Sequence, residues 1–491
     1  MTALAVLCST AARAQERTPS APFDPTELPQ TPTPSVLQLL PTAPPVRLPA
    51  VSPTPTVTVE VTASETISAH VVLPAVRQVR TPPGAVIVAL LGVDTRPQTG
   101  GANTDVILLA AVYPDLPAVS LVSIPRDTLV YIPQRGLAKV NTAFARGWNT
   151  FRQTMRHNFG VNVDYYVAVN FFGFVRAVNA VGGVEVVATC PLYQVFPADP
   201  YYTPPNANQP YTVTAPYTNT FTGEVWEVGQ AVPTLTISLS QPGVYRLDGL
   251  QALAFVRARQ GVPGGDLDRT RRAQQLLRAL YRKVTADPVA LLTRLPNLIV
   301  QLGANVKTNL SAEQMLALAQ LASKLDEAAI RSAYLDEVGL TSRTLPQIGA
   351  VLEVANREAV PRFMERAFSV SANQQALLIP VEVWNGTRRA EFGVVAAARL
   401  RELGFHVTSV QEAGQVYSRT VIYDFTASSK GGVLPQLQRA LGVRQENIVR
   451  EPRPNGPRYR IIAGEDFEPC YWRAKQRESA QKPTPTPTPQ P

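Results

Sequence analysis

Residues 85–127 read AVIVALLGVDTRPQTGGANTDVILLAAVYPDLPAVSLVSIPRD. Three continuous apolar runs stand in this stretch: AVIVALL at 85–91, VILLAAV at 106–112 and AVSLVSI at 118–124. Runs of this length, rich in Val, Ile and Leu and without polar alternation, predict strands buried on both faces. Further along, TAFARGWNTFRQTMRHNF (142–159) and FFGFVRAVNAV (171–181) have helical spacing, and DYYVAVN (164–170) reads as a strand between them. Gly182 and Gly183 supply a turn before the strand-like VEVVA at 184–188.

Residues 192–243 are rich in aromatic residues, Pro and Thr, which predicts a long loop or irregular strands. LDGLQALAFVRAR (247–259) opens a helical pattern. A Gly-rich loop follows, then DRTRRAQQLLRALYRKV (268–284) as a strong helix, and 285–368 reads as mostly helical. The fold class of this unit is α/β, a layered structure of strands and helices. A second unit over 378–468 reads β-α-β-β-α-β-β, a small α+β domain with its Pro and Gly residues falling between elements.

The flanks differ in composition. The chain has 491 residues and 45 prolines, and the prolines concentrate at the two ends. Residues 16–83 and the tail 469–491 are Pro- and Thr-rich, so they are expected to stay extended as spacers. MTALAVLCSTAARAQ at 1–15 ends in Ala12-Arg13-Ala14, a small-x-small pattern resembling the end of an export signal or the remnant of an anchor. Its apolar run is too short to span a bilayer. The expected location is extracytoplasmic, membrane-associated or in a cell wall.

Charge and rare residues narrow the chemistry. A formal net charge of +9 suits an anionic partner without choosing one. No nucleic-acid recognition motif accompanies it, so no nucleic acid is expected. Cys8, Cys190 and Cys470 are far apart and show no CxxC spacing, which speaks against a zinc site. Cys190 and Cys470 either pair outside the cell or remain thiols; their spacing does not choose. His70, His157 and His406 lack a neighbouring nucleophile or ligand pattern, so catalysis built on a histidine base is not expected.

What remains is a set of charges at the ends of apolar elements. Asp94 and Arg96 follow the first run, Asp105 opens the second, and Arg126 and Asp127 end the third. Arg257 and Arg259 close the VRAR segment, ahead of Asp266, Arg269 and Arg272. Charges at the mouths of buried strands are costly unless they face a cleft and find partners. Asp94 and Asp105 together suit a hard cation such as Mg²⁺ or Mn²⁺, which binds a few carboxylates plus substrate phosphates. Guanidinium forks match phosphate oxygens. The pattern is that of a pyrophosphate site, where positioning matters more than a side-chain nucleophile.

The order LLGVDTRP, TDVILL, SIPRDT, KVNTAFARG, NAVGGVEV, LDGLQALAFVRAR and DRTRRAQQLL resembles the LytR-CpsA-Psr family over roughly residues 84–300, extending to about 368. VEVWNGT and IIAGEDF in the second unit resemble the LytR C-terminal domain. The resemblance implies a mixed central sheet flanked by helices, with a polyprenyl chain held between them. It implies transfer of a glycopolymer from a polyprenyl pyrophosphate carrier to a peptidoglycan acceptor, releasing polyprenyl phosphate. The same resemblance assigns Asp94 and Asp105 to the metal, and Arg126, Arg257 and Arg259 to the pyrophosphate. Arg96, Asp127, Lys139, Asn141, Arg269 and Arg272 fall near the substrate, with Asp266 as a base or an arginine-orienting residue. Phe171, Phe172, Phe174 and Val178 are candidates for the lipid wall. Two positions depart from the family pattern: Asn103 where many members have Arg, and Ala273 where many have Gln, with Gln274 one place on. These departures keep an alternative open, a non-catalytic polyprenyl pyrophosphate-binding or wall-scaffold protein.

Overall fold

The computed structural model describes residues 72–95, 102–116, 118–202, 212–259, 264–286, 303–369, 379–426 and 433–474. The expected signal, Arg96, most of the N-terminal spacer and the last part of the tail lie outside the described residues. Among the described residues, no helix is long and apolar enough to cross a membrane.

The three apolar runs form β1 (Val86–Thr95), β2 (Ala102–Tyr113) and β3 (Ala118–Ser123). A short hairpin of β4 (Leu129–Ile132) and β5 (Gly136–Lys139) follows. The helix expected over 142–159 is shorter: α1 runs Trp148–Phe159, preceded by two 3-10 turns. Gly147 between them has φ 103°, a left-handed conformation that breaks the helical run. Then come β6 (Tyr165–Asn170), α2 (Phe171–Ala180) and β7 (Val184–Ala188), as the sequence predicts.

The described parts of 192–243 hold strands, paired more regularly than expected. β8 (Leu192–Pro197) pairs over six residues with the distant strand Thr234–Leu239, and a two-residue pair, β9 (Tyr217–Thr218) with β10 (Val225–Trp226), lies between them. The lobe closes with that distant strand as β11 (Thr234–Leu239), and β12 (Gly243–Leu247) leads into α3 (Gly249–Arg257) and α4 (Gly265–Ala286).

Of the region 285–368, residues 287–302 lie outside the described residues, and the described part from 303 on is not mostly helical. It carries β13 (Val306–Thr308), α5 (Ala312–Lys324), β14 (Ile330–Tyr334), the hairpin β15 (Leu340–Leu345) with β16 (Gly349–Val354), and α6 (Ala359–Ala367). β13 and β14 are short strands completing the two edges of the central sheet, so long-range pairing rather than local periodicity defines them.

The sheet order is β13-β6-β1-β2-β3-β14. β1 runs parallel to β6 and β3 parallel to β14, whereas β2 is antiparallel to both β1 and β3. The carboxyl ends of β1, β3 and β6 and the amino end of β2 therefore share one edge. One apolar core, including Phe151, Phe159 and Phe363, fills one face of the sheet. Helices α2 to α4 bring a second core on the other side. Gly249 opens α3 where that helix meets α2. A Cβ there would lie 2.3 Å from the Val175 carbonyl oxygen, so only glycine permits the approach.

The second unit has the expected order: β17 (Pro380–Asn385), α7 (Phe392–Glu402), β18 (His406–Glu412), β19 (Val421–Asp424), α8 (Leu434–Leu441), β20 (Ile448–Arg450) and β21 (Tyr459–Ala463). Its strands form one five-stranded sheet. Cys190 and Cys470 pair as a disulfide, tying the end of this unit to the segment after β7. The N-terminal spacer also ends earlier than expected. Val76 and Val79 donate backbone hydrogen bonds to His157 and Gly160, and Arg77 bridges Glu365 at 2.6 Å.

Candidate active site

The β1–β2 ladder pairs Gly92 with Val106 and Val93 with Thr104, leaving Asp105 as the extra residue of a β-bulge. In an unbroken ladder Asp105 would face away from its neighbour Val106. The bulge re-aims it, and both residues line the same cavity. Asp105 thus lies inside β2 and does not open it. Asp94 is paired with Asn103 near the tip of the same hairpin.

Arg126 follows β3 in a turn pinned by Thr128, whose hydroxyl donates to the Pro125 carbonyl at 2.7 Å. Its Nη1 lies 2.5 Å from Asp105 and its Nε 3.4 Å from Asp127. Lys139 reaches Asp127 at 3.0 Å. Asn141 is buried, its backbone N–H donates to the Arg126 carbonyl, and its side-chain oxygen has no hydrogen-bond partner. Burial alone would raise the Asp105 carboxyl, but the charges of Arg126, Arg269 and Arg257 outweigh it and hold the group below its usual range. Asp127 is likewise lowered against its burial by Arg126 and Lys139.

The second half of the site comes from α3 and α4. Arg257 ends α3 with its guanidinium 4.5 Å from the Phe171 ring centroid and 5.7 Å from that of Phe196. Arg259 bridges Asp266 at 3.2 Å, and Arg269 bridges the same carboxylate at 3.1 Å. Arg269 is buried, which lowers its pKa to about 10, with Arg126 and Arg259 adding to the effect against Asp266 and Asp105. It remains a cation at neutral pH. Asp105, Arg126, Arg257 and Arg269 therefore act on one another electrostatically, in the cluster the sequence predicts.

Arg272 is a correction. Its Nε donates to Asp268 at 3.0 Å, and its Nη1 and Nη2 donate to the carbonyls of Phe255 and Ala258. With all three nitrogens engaged inside the protein, it braces the end of α3 and is not available to substrate. Gln274 is turned to the sheet, donating to Ser123 at 2.7 Å, so it does not stand in for the residue missing at Ala273. Ala273 itself lines the cavity.

That cavity, about 240 Å³, lies between the sheet and the helices. Leu90, Leu108 and Val167 line it from the strands, and Phe174, Val178, Leu253, Leu277 and Leu280 from the helices. Asp105 and Arg257 also border it, so the apolar space opens onto the charged cluster. Phe171 joins the lining; Phe172 does not and instead packs beside Phe221.

The sequence reading missed Gln194, Pro200 and Tyr201. Gln194 accepts from the Arg259 backbone N–H at 2.6 Å, and the Pro200 carbonyl accepts from Arg257 Nη1 at 3.4 Å. The density of aromatic residues in 192–243 was the available signal.

Among the described residues, no group of three or more His, Cys, Asp or Glu is gathered to hold a metal ion. Two carboxylates from one hairpin still match a cation that takes its other oxygens from phosphate and water.

The sequence model of the LytR_cpsA_psr family matches residues 57–356. A second, described as LytR cell envelope-related transcriptional attenuator, matches 378–467. The chain is 30% identical over 241 residues to the polyisoprenyl-teichoic acid–peptidoglycan teichoic acid transferase TagU of Oceanobacillus iheyensis, covering 48% of this chain and 62% of that protein. TagU of Bacillus mycoides is 30% identical over 232 residues, covering 47% and 62%. The matches thus span less than two thirds of these relatives' length. The crystal structure of TagV from B. subtilis aligns with a TM-score of 0.43 and 20% identity, covering 58% of this chain and 97% of that one.

Proposed function

As the chain belongs to the LytR_cpsA_psr family, we propose that it is an extracytoplasmic phosphotransferase that moves a glycopolymer from a polyprenyl pyrophosphate carrier to peptidoglycan. The observation that carries this reading is the junction of an apolar cavity with a cationic cluster at Asp105 and Arg257. An isoprenoid chain is apolar and its pyrophosphate is anionic, so one ligand satisfies both halves. The relatives named as teichoic acid–peptidoglycan transferases support the same donor and acceptor classes.

The chemistry assigned to each residue follows from its partners. Arg126, Arg257 and Arg269 supply positive charge beside the phosphoanhydride, where negative charge grows on the departing polyprenyl phosphate. Asp266 sits between Arg259 and Arg269, so it serves to orient those two groups. Lys139 and Asn141 hold Asp127 and the Arg126 turn in place beside the cluster. Asp94 and Asp105 would hold one Mg²⁺ or Mn²⁺, which when bound offsets charge on the phosphate oxygens. The Cys190–Cys470 disulfide supports an oxidising, extracytoplasmic location.

The test is direct. Purified protein with Mg²⁺, a polyprenyl pyrophosphate-linked glycan and peptidoglycan should release polyprenyl phosphate, and Arg126→Ala should abolish the release. Full turnover by that variant would overturn the assignment. Tight binding of the carrier without release, with acceptor and cation present, would favour the non-catalytic reading.

A further inference from the structure

We propose that Tyr201 is a positioning residue for Arg257, delivered to the site by the lobe between β8 and β11. The inference rests on the transferase reading and adds to it a residue outside the charged cluster.

The lobe is built around one buried carboxylate. Asp199 is fully buried and accepts from the Tyr201 backbone N–H at 2.8 Å, the Tyr217 hydroxyl at 2.9 Å, the Thr220 backbone N–H at 2.6 Å and the Thr220 hydroxyl at 2.7 Å. Four donors on one carboxylate fix the turn that follows it against the 217–221 segment. A fixed turn presents a fixed side chain, and here that side chain is Tyr201.

Tyr201 is 6% exposed, which leaves it little access to a ligand of its own. It stacks between two aromatic rings, with Phe171 at 5.4 Å and Phe221 at 5.9 Å. Phe171 in turn carries the Arg257 guanidinium at 4.5 Å. The residue before Tyr201 contributes as well, because the Pro200 carbonyl accepts from Arg257 Nη1. The turn thus sets both contacts of Arg257, one through the Tyr201 ring and Phe171 and the other through the Pro200 carbonyl. Its hydroxyl is placed beside Thr95 and the first residues of α2, with Asp94 close enough to act on it. A guanidinium on an aromatic face keeps its charge while losing rotational freedom. Such preorganisation is what a pyrophosphate site needs from a long, flexible side chain.

A residue that acts only through Arg257 leaves a defined signature. Binding of farnesyl pyrophosphate to the full chain would be measured by calorimetry for wild type, Tyr201→Leu, Arg257→Ala and the double variant, with unfolding temperatures alongside. Tyr201→Leu is expected to weaken binding about tenfold in the parent and by less than about twofold when Arg257 is already gone. Tyr201→Phe keeps the stacked ring and should restore binding to within about threefold of wild type. Equal weakening in both Arg257 backgrounds would overturn the proposal, as would unchanged binding by Tyr201→Leu. Should Tyr201→Leu fail to fold, a Tyr201→Phe variant that binds as poorly as Arg257→Ala would overturn it by itself. A wild-type chain that binds no farnesyl pyrophosphate would instead sink the transferase reading on which it stands.

Discussion

Arg126 lies 2.5 Å from Asp105 and 3.4 Å from Asp127, so a single guanidinium joins the bulge in β2 to the turn after β3. The bridge places a cation and a carboxylate at the mouth of the same cavity. An Arg126→Lys substitution keeps the charge and loses the fork that spans the two carboxylates. Release of polyprenyl phosphate by this variant is expected to fall by about 10²-fold, in line with the loss of one oriented charge donor. A fall of less than about threefold would mean that net charge alone suffices.

Arg272 leads to a contrasting expectation. It is 3% exposed, paired with Asp268 and bonded to the carbonyls of Phe255 in α3 and Ala258 just past its end. The Trp472 indole also donates to Asp268 at 3.0 Å, linking this brace to the segment beyond the second unit. Arg272→Ala leaves a buried carboxylate without its cation, a change that costs about 3–5 kcal/mol. Urea unfolding should show that loss, and what protein remains folded should bind pyrophosphate with near-normal affinity. Intact stability with abolished binding would restore Arg272 to the substrate.

The contrast between Arg126 and Arg272 marks how far the sequence could be read. The apolar runs of β1 to β3 were legible because strands buried on both faces need uninterrupted Val, Ile and Leu. Their charged ends converge because β2 is antiparallel to β1 and β3, which puts Asp94, Asp105 and Arg126 on one edge. Which arginine faces the cavity was not legible. One residue along a helix rotates a side chain by about 100°, and spacing alone cannot say which face the core will claim. The strands β13 and β14 and the regular strand pairing in the lobe holding Tyr201 were not legible for a related reason. Each is defined by partners far along the chain, and short-range periodicity carries no record of them.

His157 provides a pH dependence. Burial lowers its pKa from the ordinary 6.5, Arg357 adds to the effect, and the ring nitrogen bonds the Leu73 carbonyl at 2.6 Å. The Leu73 bond opposes this shift without cancelling it. Because the folded state holds the ring below its ordinary value, the unfolded chain takes up a proton more readily. The stability linked to His157 is therefore fully present above about pH 6.5 and weakens as the pH falls below that value. In urea unfolding, the loss of stability between pH 8 and pH 5 should be smaller for His157→Gln than for wild type. An equal loss in the two proteins would show that His157 does not carry this pH dependence.

The apolar cavity and the charged cluster can be perturbed separately. Leu277 on α4 lines it from the helical side and is only partly buried, so a larger side chain there points into the space a lipid would occupy. Leu277→Trp inserts an indole among Leu108, Leu253 and Leu280 without touching Arg126, Arg257 or Arg269. Overpacking of this kind costs about 1–3 kcal/mol, so the unfolding temperature should drop modestly while the fold persists. Binding of a long polyprenyl pyrophosphate is expected to weaken at least about tenfold, since a chain that cannot enter loses the burial that favours it. Inorganic pyrophosphate, which needs only the cationic cluster, should bind within about twofold of wild type. Calorimetry with the two ligands separates the halves of the site. If both weaken together, the cavity and the cluster are one packed unit and the apolar space is not where the lipid goes.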